Sequence, residues 1–150
     1  MSKLDSAEVQ TCARNCAAAN VRRASRVLTR FYGQFMAETG LEATQYSLLV
    51  ACSLTGGDTV SKLAEVFALD RSALARNLAI MERRGLVIVK PGEDRRTRKV
   101  TLTPFGAATL ANAMPHWREA QTAVEKTFGV ERLQNLLSEI SALMHVTSKP

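Results

Sequence analysis

The side chains best placed to do chemistry in this chain are arginines, which fall in three groups: Arg22 to Arg30, Arg71 to Arg84, and Arg95 to Lys99. Twenty Lys and Arg against fourteen Asp and Glu leave a net charge of +6, so the surface attracts polyanions. Charge alone does not choose among DNA, RNA and membrane. The other reactive groups are three cysteines and two histidines. Cys12 and Cys16 lie one turn apart within an expected long first helix, which makes them redox candidates, although small helix-packing residues is the plainer reading. Two cysteines inside one helix do not form a relaxed disulfide, and a zinc site needs two more ligands than they supply. Nothing places His116 or His145 near them, so neither metal nor cofactor is expected. No Cys-His motif or Gly-rich nucleophile turn is present, and the chain is not expected to be an enzyme. Cys52 sits in an apolar helix and is expected to be buried.

The middle arginine group is informative because of its spacing. On a helix advancing about 100° per residue, Leu74, Leu78 and Met81 cluster within about 60°, while Ser72, Arg76, Ala79 and Arg83 lie opposite and Arg71 near the N-terminal end. One face anchors the helix. The other is small and basic, able to enter a major groove, where Arg76 can reach a guanine edge or a phosphate. The helix N-terminus adds its own amides and positive dipole. The last group, Glu93-Asp94-Arg95-Arg96-Thr97-Arg98-Lys99, carries four cations on a hairpin loop, suited to a narrow minor groove. A charged loop alone is commonplace; beside a basic helix it is not. The row Arg22, Arg23, Arg26 and Arg30 is read as solvated or paired across an interface, outside the site.

These groups need elements to hold them. A helical pattern runs from about Val9 to Met36, with Ala24, Val27, Leu28, Phe31 and Phe35 on one side, and Gly40 ends it. A second helix starts near Thr44 and breaks at Gly56-Gly57. Ser61 to Phe67 reads as a short helix, Ala68-Leu69 as a turn and Asp70 as the N-cap of the helix from Arg71 to Arg84, closed by Gly85. Leu86 to Val89 and Val100 to Leu102 alternate as strands of a hairpin. Thr103-Pro104 begins a helix running to about Phe128, with a kink expected at Pro115. After Gly129 a final helix carries Leu133, Leu136, Leu137, Ile140, Leu143 and Met144 in a broad apolar stripe. The expected fold is mainly α with a small β-hairpin wing, a winged helix-turn-helix. Residues 41–103 form its DNA-binding region, and 1–40 with 104–150 form dimerisation helices, since the stripe is wider than a lone peripheral helix must bury. No apolar run approaches the ~18 residues of a membrane span. The start of the chain lacks a signal-peptide pattern, so a reducing cytoplasm is the expected location.

Several stretches together resemble the MarR family of bacterial regulators: Leu69-Asp70-Arg71-Ser72-Ala73-Leu74-Ala75-Arg76-Asn77-Leu78, Glu82-Arg83-Arg84-Gly85-Leu86-Val87, Asp94-Arg95-Arg96, and Val100-Thr101-Leu102-Thr103-Pro104-Phe105-Gly106. Gly40-Leu41, Thr44-Gln45 and Leu48-Leu49 extend the resemblance towards the N-terminus. It implies a triangular homodimer with interleaved terminal helices and a winged helix at each lower corner. It also implies a wing arginine in the minor groove, at the position of Arg96, with Asp94 orienting it. The DNA-contacting set is then Arg71, Ser72, Arg76, Arg83, Asp94, Arg95, Arg96 and Arg98. The resemblance further implies an anionic, phenolic or lipophilic effector bound between dimerisation helices and winged domain, with Tyr32, Tyr46 and Trp117 eligible to line its pocket. The expected function is a ligand-responsive repressor of a pseudo-palindromic operator; the alternative is a thiol-based redox regulator using Cys12 or Cys16. Peroxide sensors of this family use a cysteine helped by tyrosines. Tyr32 resembles one such tyrosine, but Ala43 replaces the other and Cys16 is half a turn out of register.

Overall fold

A computed structural model of the chain describes residues 5–94 and 96–147. The elements run α1 (Ser6–Asn15), α2 (Ala17–Met36), a 3-10 turn (Ala37–Thr39), α3 (Ala43–Thr55), β1 (Asp58–Thr59), α4 (Val60–Val66), α5 (Arg71–Arg83), β2 (Val87–Pro91), β3 (Arg98–Leu102), α6 (Pro104–Phe128) and α7 (Val130–Thr147). The expected first helix is two helices. Cys16 takes an extended conformation (φ −67°, ψ 106°), capping α1 and beginning α2, while its amide still donates to the Cys12 carbonyl at 3.0 Å. Asn20 steadies this junction by donating to the Arg14 and Cys16 carbonyls, both at 3.0 Å. The two cysteines therefore do not share a helix interior.

The helix starts follow from side chains that satisfy orphan amides. Thr59 caps α4, Asp70 caps α5 and Thr103 caps α6 with Pro104 in its first turn. The cap of α3 is Glu42 rather than Thr44. Gln45 closes a capping box by accepting from the Glu42 amide at 3.2 Å, and it is buried while doing so. Arg84 Nη1 donates to the same oxygen at 3.0 Å, tying the end of α5 to the start of α3. Helix α6 passes through Pro115 without ending. Pro115 and Ala111 are both exposed, so solvent can serve the carbonyl that proline leaves without its helical donor.

The three strands lie in the order β1-β3-β2, all antiparallel, with Asp58 opposite Val100 and Val87 opposite Leu102. Strand β1 is the element the sequence pattern omits: two residues show no periodicity. Gly57 makes it possible. Its φ is +111°, and a Cβ there would lie 2.5 Å from Thr101 Cγ2 and 2.9 Å from the Val100 carbonyl. Under this sheet Leu48, Leu49, Leu63, Leu74, Met81, Leu86 and Val100 form one buried core. Met36 and Ala113 join it to α2 and α6. By contrast α1 contains no buried residue, and Val27, Leu136 and Leu137 present apolar surface to solvent.

Candidate nucleic-acid interface

Helix α5 is held from below and bare above. Leu74, Leu78 and Met81 are buried, whereas Arg71, Ser72, Arg76, Ala79 and Arg83 are exposed on the other side. The turn before it is tight. The Leu69 amide donates to the Ala64 carbonyl at 2.9 Å, and Ala68 adopts φ +47°, a left-handed conformation that glycine more often supplies. Asp70 then accepts from the Ala73 amide at 2.7 Å and from the Ser72 hydroxyl. The Ser72 hydrogen bond, then the Ala73 amide, hold the Asp70 carboxyl below its usual range, and Arg76 adds attraction. The first-turn amide of Ala73 is thus engaged by Asp70, as expected of an N-cap, and is not open to a phosphate. The cationic side chains remain the available anion partners on this face.

The wing projects from strands β2 and β3. Its loop is built around Asp94, whose carboxylate accepts from the Arg96 amide at 2.9 Å and whose carbonyl accepts from the Thr97 amide and hydroxyl, each at 2.8 Å. Asp94 therefore organises the backbone carrying Arg96. A side-chain ion pair between the two does not occur among the described residues, where the salt bridge is Lys62 to Asp58 at 3.1 Å. Arg96 stays exposed at the tip, and Arg98 opens β3 opposite Pro91. Arg95, expected in the same cluster, lies outside the described residues.

Glu82, which the sequence reading did not select, and Thr103, read there only as the start of α6, fasten helix and wing together. Glu82, on the last turn of α5, accepts from the Val89 amide of β2 at 3.1 Å. Thr103 donates its amide to the Leu86 carbonyl at 3.1 Å and its hydroxyl to the Gly85 carbonyl, while accepting from the Gly106 amide at 2.8 Å. A Cβ on Gly106 would lie 1.9 Å from the Leu86 carbonyl oxygen, so only glycine fits. The Thr103-Pro104-Phe105-Gly106 string had signalled this start of α6, though not the close approach.

Elsewhere, Cys12 is exposed, Cys16 half-buried and Cys52 buried, its thiol pushed up to about 11 mainly by desolvation and further by Asp58. Among the described residues no group of His, Cys, Asp and Glu could hold a metal ion, and no helix is long and apolar enough to cross a membrane.

Comparison with known proteins agrees with this architecture. The profile of the MarR family matches residues 39–97, the stretch from the 3-10 turn to the wing loop. The Mycobacterium tuberculosis transcriptional regulator MosR, solved in complex with DNA, is 34% identical, with a TM-score of 0.78 covering 90% of this chain and 100% of that one. An HTH-type transcriptional regulator of Bacillus cereus is 25% identical over 116 residues, 77% of this chain and 78% of its own. A mutant MarR from E. coli, complexed with operator DNA, is similar in fold alone: its TM-score is 0.78 at 18% identity, over 89% of this chain and 96% of that one. With its capped recognition-type helix, its wing and these relatives, the chain belongs to the MarR family of winged-helix transcriptional regulators.

Proposed function

We propose that this chain regulates transcription as a homodimer that grips a pseudo-palindromic operator with α5 in the major groove and the wing in the minor groove. The observation that carries the reading is the exposed face of Arg71, Ser72, Arg76 and Arg83 backed by a fully buried seam, with Arg96 and Arg98 displayed on the adjoining wing. The DNA complexes of MosR and E. coli MarR support it. The dimer is supported by an apolar groove of about 560 Å3 between α2, α6 and α7, lined by Val27, Phe31, Val124, Phe128 and Leu136, which a second copy would cover. Repression and its release then follow from an effector that prefers one spacing of the two recognition helices over another.

The test is binding to the DNA upstream of the protein's own gene against a scrambled duplex of equal length, at two salt concentrations. Tight, specific binding with steep salt dependence is expected. Arg96→Ala should lower affinity and reduce the salt slope by about one while leaving stability unchanged. Equal weak binding to both duplexes would overturn the reading.

A second reading is favoured by one observation, the helix break at Cys16. The Cys16 amide keeps the helical bond back to Cys12, so pairing the two thiols requires the last turn of α1 to open, which the extended ψ at Cys16 allows without disturbing α2. A hydroperoxide can take two electrons and two protons from the thiols, leaving a disulfide plus alcohol and water, and so reset the α1–α2 angle. Mass spectrometry after peroxide, beside the DNA-binding assay, decides: a loss of two mass units within residues 12–16 coupled to release of DNA selects the thiol switch.

A further inference from the structure

Of the described methionines, Met36 and Met81 are sealed in the core and Met144 is exposed on α7, while Met114 is half-buried where α6 faces α3. A space of about 280 Å3 opens beside it, lined by Met114, Tyr46, Ser47, Val50 and Trp117. A molecule the size of hydrogen peroxide fits there with room to spare.

The Met114 sulfur has a donor aimed at it. The Tyr46 hydroxyl, on α3, donates to Met114 Sδ at 3.2 Å. A thioether is a weak acceptor, so this phenol is held on a poor partner. The hydrogen bond engages one lone pair of the sulfur and leaves the other nucleophilic. Burial raises the Tyr46 hydroxyl, with Arg118 pulling the other way, so the phenol keeps its proton at neutral pH. The other polar groups of the lining differ in what they have left to give. The Ser47 hydroxyl is spent on the Ala43 carbonyl at 3.0 Å, whereas the Trp117 indole N–H has no hydrogen-bond partner among the described residues and is open to a peroxide oxygen. Cys52, also on α3, is buried with its thiol pushed up to about 11, and offers no thiolate to compete.

We propose that Met114 is a site of oxygen transfer from hydroperoxides and that Tyr46 is its positioning residue. The free lone pair of the thioether attacks the hydroxyl oxygen of the peroxide. An S–O bond forms as the O–O bond breaks, and the proton of the transferred oxygen passes to the departing one, leaving a sulfoxide plus water or an alcohol. Sulfur gives up two electrons and the peroxide takes them. Negative charge gathers on the transferred oxygen, and Tyr46 turns its proton from sulfur to that better acceptor. The product sets a polar oxygen in the seam where Met114 packs against the core. Any effect of this on DNA binding rests on the regulator reading; the chemistry does not.

The experiment exposes the full chain to hydrogen peroxide and follows each methionine by peptide mass spectrometry, the gain of one oxygen marking the sulfoxide. Met144 supplies the rate of an open thioether, and Met36 and Met81 report whether the fold stays closed. Met114 should oxidise within about threefold of the Met144 rate despite its burial, while Met36 and Met81 stay unmodified. Tyr46→Phe, which keeps the ring, should slow Met114 by about threefold to tenfold, the loss of one hydrogen bond, with Met144 unchanged. A hydrogen bond that merely tied up the sulfur would act in the opposite sense, so an unchanged or faster Met114 in Tyr46→Phe overturns the proposal. So does an intact Met114 when Met144 is fully converted. Binding to upstream DNA, measured on the untreated chain, separates the two readings. Conversion of Met114 in a chain that does not bind DNA sinks the regulator and leaves the site; DNA binding with Met114 intact does the reverse.

Discussion

The winged region and the terminal helices solve the problem of apolar surface in opposite ways. Around α3 to β3, large side chains such as Leu48, Leu74 and Leu86 are wholly buried within one chain, and every helix there begins on a capping side chain. In α1, α2 and α7 the apolar faces stay open: Val27 is 50% exposed and Leu137 56%. The first region is closed in itself while the second leaves apolar surface open, and on the proposed reading the first reads DNA and the second receives another copy.

The sharpest way to break that contrast is to cut into each half. Leu74→Ala should cost about 2–5 kcal/mol whatever the protein concentration, because it opens a cavity in a closed core. Urea unfolding of wild type and variant at two concentrations measures it, and a cost that vanished on dilution would mean that the winged core depends on a partner. Leu136→Asp should instead abolish dimerisation while leaving the winged region folded, seen as a monomer by sedimentation with a melting temperature no longer dependent on concentration. A variant that stayed dimeric would place the interface elsewhere.

A smaller effect is expected at Asp70, where replacement by Ala should lower stability modestly as a lost N-cap. The folded carboxyl titrates below its unfolded value, so the contribution is present above about pH 4 and is lost as the pH falls through the depressed folded value. Stability curves of the two proteins should therefore converge in acid. Smallest in energy, but simple to read, is the thiol pattern. A thiol reagent should label Cys12 readily and leave Cys52 untouched in the native protein. Because burial raises the Cys52 thiol to about 11, its share of stability should be intact below about pH 8.5 and lost as the pH climbs through 11. Rapid labelling of Cys52 would mean that α3 opens locally.

The parts legible in the sequence were those with strong local signals. Asp70 and Thr103-Pro104 announced their helices, Gly129 separated α6 from α7, and the period of Leu74, Leu78 and Met81 told inside from outside. What escaped depends on residues far apart in the chain. The break at Cys16 has no Gly or Pro to announce it. Strand β1 exists because β3 lies beside Asp58-Thr59, and Gln45 is a cap and a partner of Arg84 only once α5 has folded back onto α3. The wing showed the same limit: Asp94 was legible as the residue that organises Arg96, but its hold on the backbone amide rather than the guanidinium was not.

The contact between Gly106 and the Leu86 carbonyl makes a rigid joint at one end of a long rod. From that joint to Gln121, which accepts a hydrogen bond from the Tyr32 hydroxyl of α2 at 2.7 Å, α6 spans about 22 Å at 1.5 Å per residue. A tilt of about 5° pivoting at the Gln121 end carries Gly106, and with it the end of α5 and the wing, through roughly 2 Å. In the proposed dimer, two such displacements would be enough to spoil a spacing matched to one turn of DNA, about 34 Å. The missing methyl of one glycine thus sets the gearing of the molecule: with no side chain to cushion the joint, a small movement at the far end arrives at the reading head undiminished.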